Sequence, residues 1–472
     1  MGQKFSACTL AILSMCALPA LAEEANKVPP ETLLDAIKQG KPMSSFRLRY
    51  ENVDQEAYQP APTANEKLDT ADAFTLRSLI GWQTALFHNF SFAAQLTDVH
   101  EFNDDFNDRR NNLSEPGKAN FPNVVDPGYT DVNQLYVDWT GIKNTKLRLG
   151  RQQLNLDNVR FVGDIGFRQN MQVFDGISVL NKSIPNTEIF AAHFDKVRQI
   201  TTRLRHGNID MLNVKYHISP TESLIGYGYL IDVSNLGQNG QPVGGPNAAS
   251  FIVSGGNGLG PSQDLTPTAI TDASSKTFGV RLDGVRKLND GWKALYTAEY
   301  AKQDDYRGGN SLIDAHYFKL GGGAMYEAWL LRLDHEELSS NGGKYAFQTP
   351  MGTNHLFQGW SDQFLATPRQ GMRDTFVTFG GSIQKAKLYA EYHVFHSDKD
   401  YETLGSTALN RKFGDKYGTE FDASVLYPFT DKITGKIEYA NFNESDVYGA
   451  TLKGAARKGY KEMFWITGQY TF

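Results

Sequence analysis

From residue 45 onward the chain alternates apolar and polar side chains with period 2, the spacing of a half-buried strand. In the last segment Phe464, Ile466, Gly468, Tyr470 and Phe472 share one face, and Trp465, Thr467, Gln469 and Thr471 the other. In Phe46-Arg47-Leu48-Arg49-Tyr50-Glu51 one face is charged and the other greasy. Trp329, Leu331 and Leu333 likewise alternate with Leu330, Arg332 and Asp334. Charges inside strands need a wet face, and the facing residues need an apolar medium. About 18 such segments are expected, a count read from the period-2 pattern. The connections between them alternate in length, long after odd strands and short after even ones. Short turns include 141–144, 219–221 and 289–290, whereas 100–130, 233–273, 338–372 and 397–414 are long. That parity has a physical reason in a single transmembrane antiparallel β-barrel with short periplasmic turns and long external loops, an all-β fold. An even strand count puts both chain ends on one side. Tyr50, Tyr136, Trp139, Tyr227, Tyr229, Tyr300, Tyr427 and Tyr439 stand at strand ends and are expected in interfacial girdles.

Three units follow: 1–22, 23–44 and 45–472. Residues 1–22 read as a secretory signal, with Lys4, an apolar core from Leu10 to Leu18, and Ala20-Leu21-Ala22 as the cleavage site. The apolar core is too short for a retained span. Leu13-Ser14-Met15-Cys16 is the lipoprotein alternative, with Met15 a poor fit. Removal of the signal takes away Cys8 and Cys16, which excludes disulfides, thiolate metal sites and a cysteine nucleophile from the working protein. Residues 23–44 form a lead-in in which Leu33, Leu34, Ala36 and Ile37 have helical spacing behind Pro29-Pro30. The barrel occupies 45–472.

Composition agrees with this pattern. Mean hydropathy is −0.43 across 472 residues, against a helical membrane protein but not against a barrel. Net charge is −6 with no basic block, so nucleic acid is not an expected partner. Outer-membrane lipids and lipopolysaccharide are, together with the barrel-assembly machinery through the terminal Phe472 and a small-molecule or polysaccharide solute.

Enzymatic motifs are scarce, and no cofactor or metal is implied. Asp334-His335-Glu336-Glu337 has Ser339 where a zinc helix needs its second histidine, and Gly256, Gly258 and Gly260 lie in a loop without a strand-to-helix frame. Asp104-Asp105, Asp304-Asp305 and His396-Ser397-Asp398 are the candidates for an outer-membrane enzyme, the alternative to a channel. A sheath around a periplasmic cytochrome is the other alternative. The expected site is therefore the lumen. Alternation turns Arg47, Arg49, Arg77, Arg148, Arg281, Arg332 and Lys436 inward, together with Glu51, Asp138, Asp283, Glu299, Asp334, Glu391, Glu420, Asp422 and Glu438. Rings of one sign set ion selectivity, whereas opposed signs create a transverse field. Arginine suits bidentate contact with carboxylates, which points to an acidic solute.

The stretch LRLGRQQLNLDNVRFVGDIGFRQNMQVFDGISV from Leu147 resembles the alginate-export porin family, through Gly150, Arg151, Gln152, Arg160, Gly163, Phe174, Asp175 and Gly176. Arg47-Leu48-Arg49-Tyr50-Glu51, Asn133 to Asp138 and Gly418 to Asp422 are similar as well. Gln153, Phe167 and Val173 depart from the family pattern. The resemblance implies a barrel of about 18 strands serving as a secretion or diffusion channel, a size that leaves an aqueous lumen. Gly150 and Gly163 would permit tight backbone at the strand end and in a folded-in loop. Arg151, Arg160 and Arg168 on that loop either line a constriction or pair with Asp157, Asp164 and Asp175.

Overall fold

The computed structural model describes residues 29–56, 68–110, 118, 120–233, 272–402, 413–445 and 459–472. Residues 1–22, read above as a signal, both cysteines and the glycines at 256, 258 and 260 lie outside the described residues. Among the described residues eighteen antiparallel strands form one closed sheet, which the two-residue strand Lys41–Pro42 joins beside Trp82 and Gln83. In chain order they are β1 Ser45–Gln55, β2 Ala71–Gln83, β3 Phe90–Glu101, β4 Tyr129–Trp139, β5 Thr145–Gln152 and β6 Val173–Asn181. Next come β7 Thr187–Arg198, β8 Leu204–Ser219, β9 Glu222–Asp232, β10 Ser275–Lys287, β11 Trp292–Asp305 and β12 Asp314–Tyr326. The last six are β13 Trp329–Leu338, β14 Met372–Ile383, β15 Ala386–Glu402, β16 Phe413–Pro428, β17 Ile433–Glu444 and β18 Tyr460–Thr471. Each strand pairs with its sequence neighbours, and β1 pairs with β18 from Ser45↔Thr471 to Gln55↔Lys461, so no edge remains. The length parity of the connections holds except between β7 and β8, where 199–203 is a tight turn on the long-loop rim.

Burial is inverted relative to a water-soluble protein. On β1 Arg47, Arg49 and Glu51 are buried while Leu48 is exposed. On β13 Arg332, Asp334 and Glu336 are buried while Leu331 and Leu333 are 58% and 56% exposed. Apolar residues outside and charged residues inside satisfy every face only if the outside is lipid. Aromatic pairs mark the short-turn rim: Trp292–Tyr326, Trp329–Phe379, Phe46–Phe472 and Tyr470–Phe472. The expected girdle fails for Tyr136, Tyr227 and Tyr229, which are buried in the interior. Inward and outward aromatics share the same spacing along a strand, so position at a strand end does not settle the face.

The lead-in contains one helix, Leu33–Lys38, closed by a reciprocal Thr32–Asp35 capping box. It sits on the short-turn rim, where Trp82 Nε1 donates to the Ile37 carbonyl at 2.8 Å. Leu33, Leu34 and Ile37 remain exposed.

Candidate functional site: a partly filled lumen

Beside the buried Phe106, Val124 and Asp126 of connection 102–128, two further connections fold into the barrel instead of standing above it: 153–172 between β5 and β6, and 339–371 between β13 and β14. Both are full of groups that a solvated loop would not carry, such as Val159, Phe161, Val162 and Ile165, and Phe347, Met351, Trp360 and Phe364, all buried. Phe161 stacks among Tyr227, Tyr317 and Phe347, with ring centroids 5.2–5.8 Å apart. Inward Tyr227, Tyr229 and Tyr317 therefore pack against an infolded segment.

The two segments lock onto each other. Val162 bridges Met351, and the Gly163 amide donates to the Met351 carbonyl at 2.8 Å. A Cβ on Gly163 would stand 2.1 Å from Thr353 Oγ1, so only glycine permits this approach. Gly150 meets the same demand at the strand end. It has φ +128°, and a Cβ there would lie 2.2 Å from the Leu135 carbonyl oxygen. Val159 and Ile165 have φ of 61° and 52°, costly for β-branched residues. Thr353 holds both, donating its amide to the Val159 carbonyl at 2.9 Å and accepting from the Ile165 amide at 3.2 Å.

Charged pairs bind the segments to the wall. Arg160 donates to Glu336 on β13 at 2.7 Å and to Gln358 at 3.0 Å. Arg168 bridges Glu51 on β1 at 3.0 Å and Asp362 at 2.7 Å. Arg151 forms a fork with Asp175 at 2.7 and 2.9 Å and reaches Asp131 at 3.1 Å. Of the pairings considered from sequence, only Arg151–Asp175 forms; Asp157 instead holds Lys215, and Asp164 accepts from the Gly166 amide. His355 stacks on Phe167 and lies 2.8 Å from Asp362. Burial raises the Asp362 carboxyl, but His355 and Arg168 outweigh it and hold the group well below the usual carboxylate range.

The other inward residues are mostly paired on the wall. Arg148 forks onto Asp138 at 2.6 and 2.8 Å and lies over the Tyr136 ring. Arg281 pairs with Asp283 and Glu299, and Arg332 with Asp334. Glu420 and Asp422 accept from the Ser361 and Trp360 amides. Arg47, Arg49 and Arg77 differ. Among the described residues none has a carboxylate within 4.0 Å. Arg47 donates to the Gly166 carbonyl and Gln169, and Arg49 to the Phe167 carbonyl at 2.6 Å. Arg77 lies opposite Arg47 in register, with Nε and Nη1 unpartnered.

The loop-borne enzyme candidates serve other contacts. His396 and Ser397 point to opposite faces of β15; Ser397 Oγ donates to the Asp415 carbonyl, and Asp398 accepts from the Ser340 amide at 2.8 Å.

A closed barrel with an apolar exterior, a charged interior and infolded segments is a bacterial outer-membrane β-barrel of porin architecture. A family model, Campylobacter major outer membrane protein, matches residues 6–222; it gives no support to the alginate-export assignment. Among solved structures, Pseudomonas aeruginosa OpdQ is 12% identical with a TM-score of 0.61, covering 93% of this chain and 98% of its own. Acinetobacter baumannii OccAB2 is 13% identical with a TM-score of 0.63, covering 93% and 99%. Pseudomonas aeruginosa OpdK, solved with vanillate, is 11% identical with a TM-score of 0.59, covering 92% and 98%. No curated protein matches the chain significantly.

Proposed function

We propose that the protein is a passive channel for small acidic solutes, with the lumen beside Arg47, Arg49 and Arg77 as its selective region. The observation that carries this reading is the contrast between those three arginines and six others in the interior. Arg148, Arg151, Arg160, Arg168, Arg281 and Arg332 are all neutralised by carboxylates, so they contribute little net field. Arg47, Arg49 and Arg77 are satisfied only by carbonyls and hydroxyl or amide oxygens, or not at all. Their positive charge therefore projects onto the neighbouring lumen, in a low-dielectric wall that screens it weakly. The infolded segments favour a small solute over an acidic polysaccharide, because Phe161 and Trp360 occupy interior space against wall residues Tyr227, Tyr317 and Tyr389. An aromatic carboxylate such as the vanillate of OpdK is a solute of suitable size and charge.

Planar-bilayer conductance under a salt gradient tests the reading. Anions are expected to permeate faster than cations, and Arg77→Ala to lower that ratio severalfold. A folded barrel without conductance, or a cation preference that Arg77→Ala leaves unchanged, would refute it.

A further inference from the structure

The interior wall carries an acidic cluster that the channel reading does not use. Glu391 and His393 on β15 face Asp422 and Glu420 on β16, in register Glu391↔Asp422 and His393↔Glu420. Asp374 on β14 stands on the other side of His393. All five side chains are buried. Two carboxylates directly opposite each other on one sheet face repel, and here no solvent relieves them. Among the described residues no lysine or arginine nitrogen lies within 4.0 Å of any of these four acids.

The imidazole is oriented toward this charge. His393 Nδ1 lies 2.9 Å from Asp374 Oδ2, a contact that orients the ring and turns Nε2 toward the carboxylates. Nε2 is buried and without a hydrogen-bond partner, 3.5 Å from Glu391 Oε2 and 3.6 Å from Asp422 Oδ2. Those spacings are long for hydrogen bonds. They are close to the edge of a tetrahedron around a metal bound at about 2.0–2.1 Å, about 3.3 Å. The other oxygen of Glu391 is held by Thr378 and Tyr389 at 2.7 and 2.6 Å, so Oε2 is the one left over. Asp422 Oδ1 is likewise buried and unpartnered.

We propose that Glu391, His393 and Asp422 bind a divalent first-row transition ion, with Asp374 orienting the imidazole and Glu420 adding charge beside it. One imidazole and two carboxylates in a dry wall suit zinc better than calcium, which takes six to eight oxygens. The site also has a mechanical role. Trp360 and Ser361 of the infolded segment 339–371 donate their amides to Asp422 and Glu420, so an ion that fixes these carboxylates also fixes the segment's anchor.

The test uses folded barrel in detergent, cleared of metal by chelation and titrated with Zn2+ or Co2+. Wild type is expected to take up one equivalent, to melt at a higher temperature with Zn2+, and to give the intense visible d–d absorption of low-coordinate Co2+. His393→Gln and Asp422→Asn, checked for heat-modifiable migration, should each weaken uptake by a hundredfold or more. Asp374→Asn should weaken it by about 10–100-fold. Wild type that binds neither ion saturably would overturn the proposal, because the cluster then shares protons instead of a metal. Uptake unchanged in both folded ligand variants would overturn it as well.

Discussion

Replacing Arg168 should release the infolded segments while leaving the barrel closed. This guanidinium is buried between Glu51 at 3.0 Å and Asp362 at 2.7 Å, with Asp126 at 3.8 Å. Arg168→Met keeps much of the volume, leaves Glu51 buried without this cation and leaves Asp362 with His355 alone. Breaking a buried pair from one side costs about 3–5 kcal/mol. The wall strands are held by their own ladders, so the loss should fall on the docking of 153–172 and 339–371. At 1.4 kcal/mol per tenfold, the undocked population rises by roughly a hundred- to a few-thousand-fold. Single-channel recording should then show larger and noisier conductance, with new protease cuts confined to these two segments. Adding Glu51→Gln should recover part of the loss, because one uncompensated charge is removed. Unchanged conductance together with unchanged protease resistance in the folded variant would refute the reasoning.

Three further outcomes are expected. Asp362 has a carboxyl held below its ordinary value, so its contribution to docking is present above about 4, the unfolded value, and is lost as pH falls from there toward the folded value; conductance noise should rise as pH falls below about 4, and no rise there would contradict this. Gly163→Ala drives a Cβ into Thr353 Oγ1 and should cost about 1–3 kcal/mol of segment docking, as read by limited proteolysis, where unchanged protection would contradict it. Leu331→Arg, on the outward face of β13, should destabilise the lipid-inserted barrel by about 2–4 kcal/mol in a urea titration, whereas no cost would contradict a lipid-facing position.

The barrel wall was legible because two independent signals coincide in it. Period 2 turns Arg332 and Asp334 inward and Leu331 and Leu333 outward, and loop parity assigns the rims. What filled the lumen was much less legible. Arg160 meets Glu336 and Arg168 meets Asp362 across separations of 176 and 194 residues, and no local pattern encodes such a partner. The infolding did leave a trace. Tyr345, Phe347, Met351, Leu356, Phe357, Trp360 and Phe364 are too many apolar side chains for a solvated loop. The His393 cluster escaped for another reason: its ligands come from strand faces, where alternation spaces them like any other inward residues.

The bridge at Arg168 also orders events in time. It joins residue 51 near one end of the chain, residue 168, and residue 362 far along it. A nascent or half-assembled sheet that has only the early strands holds Arg168 without Asp362. The segment 153–172 then lacks Thr353, which supports its strained turns at Val159 and Ile165. Contacts of such long sequence separation form slowly. Arg47, Arg49 and Asp126 hold residues 166–169 from early in the chain, whereas the clasp between 153–172 and 339–371 closes only as a late step of assembly.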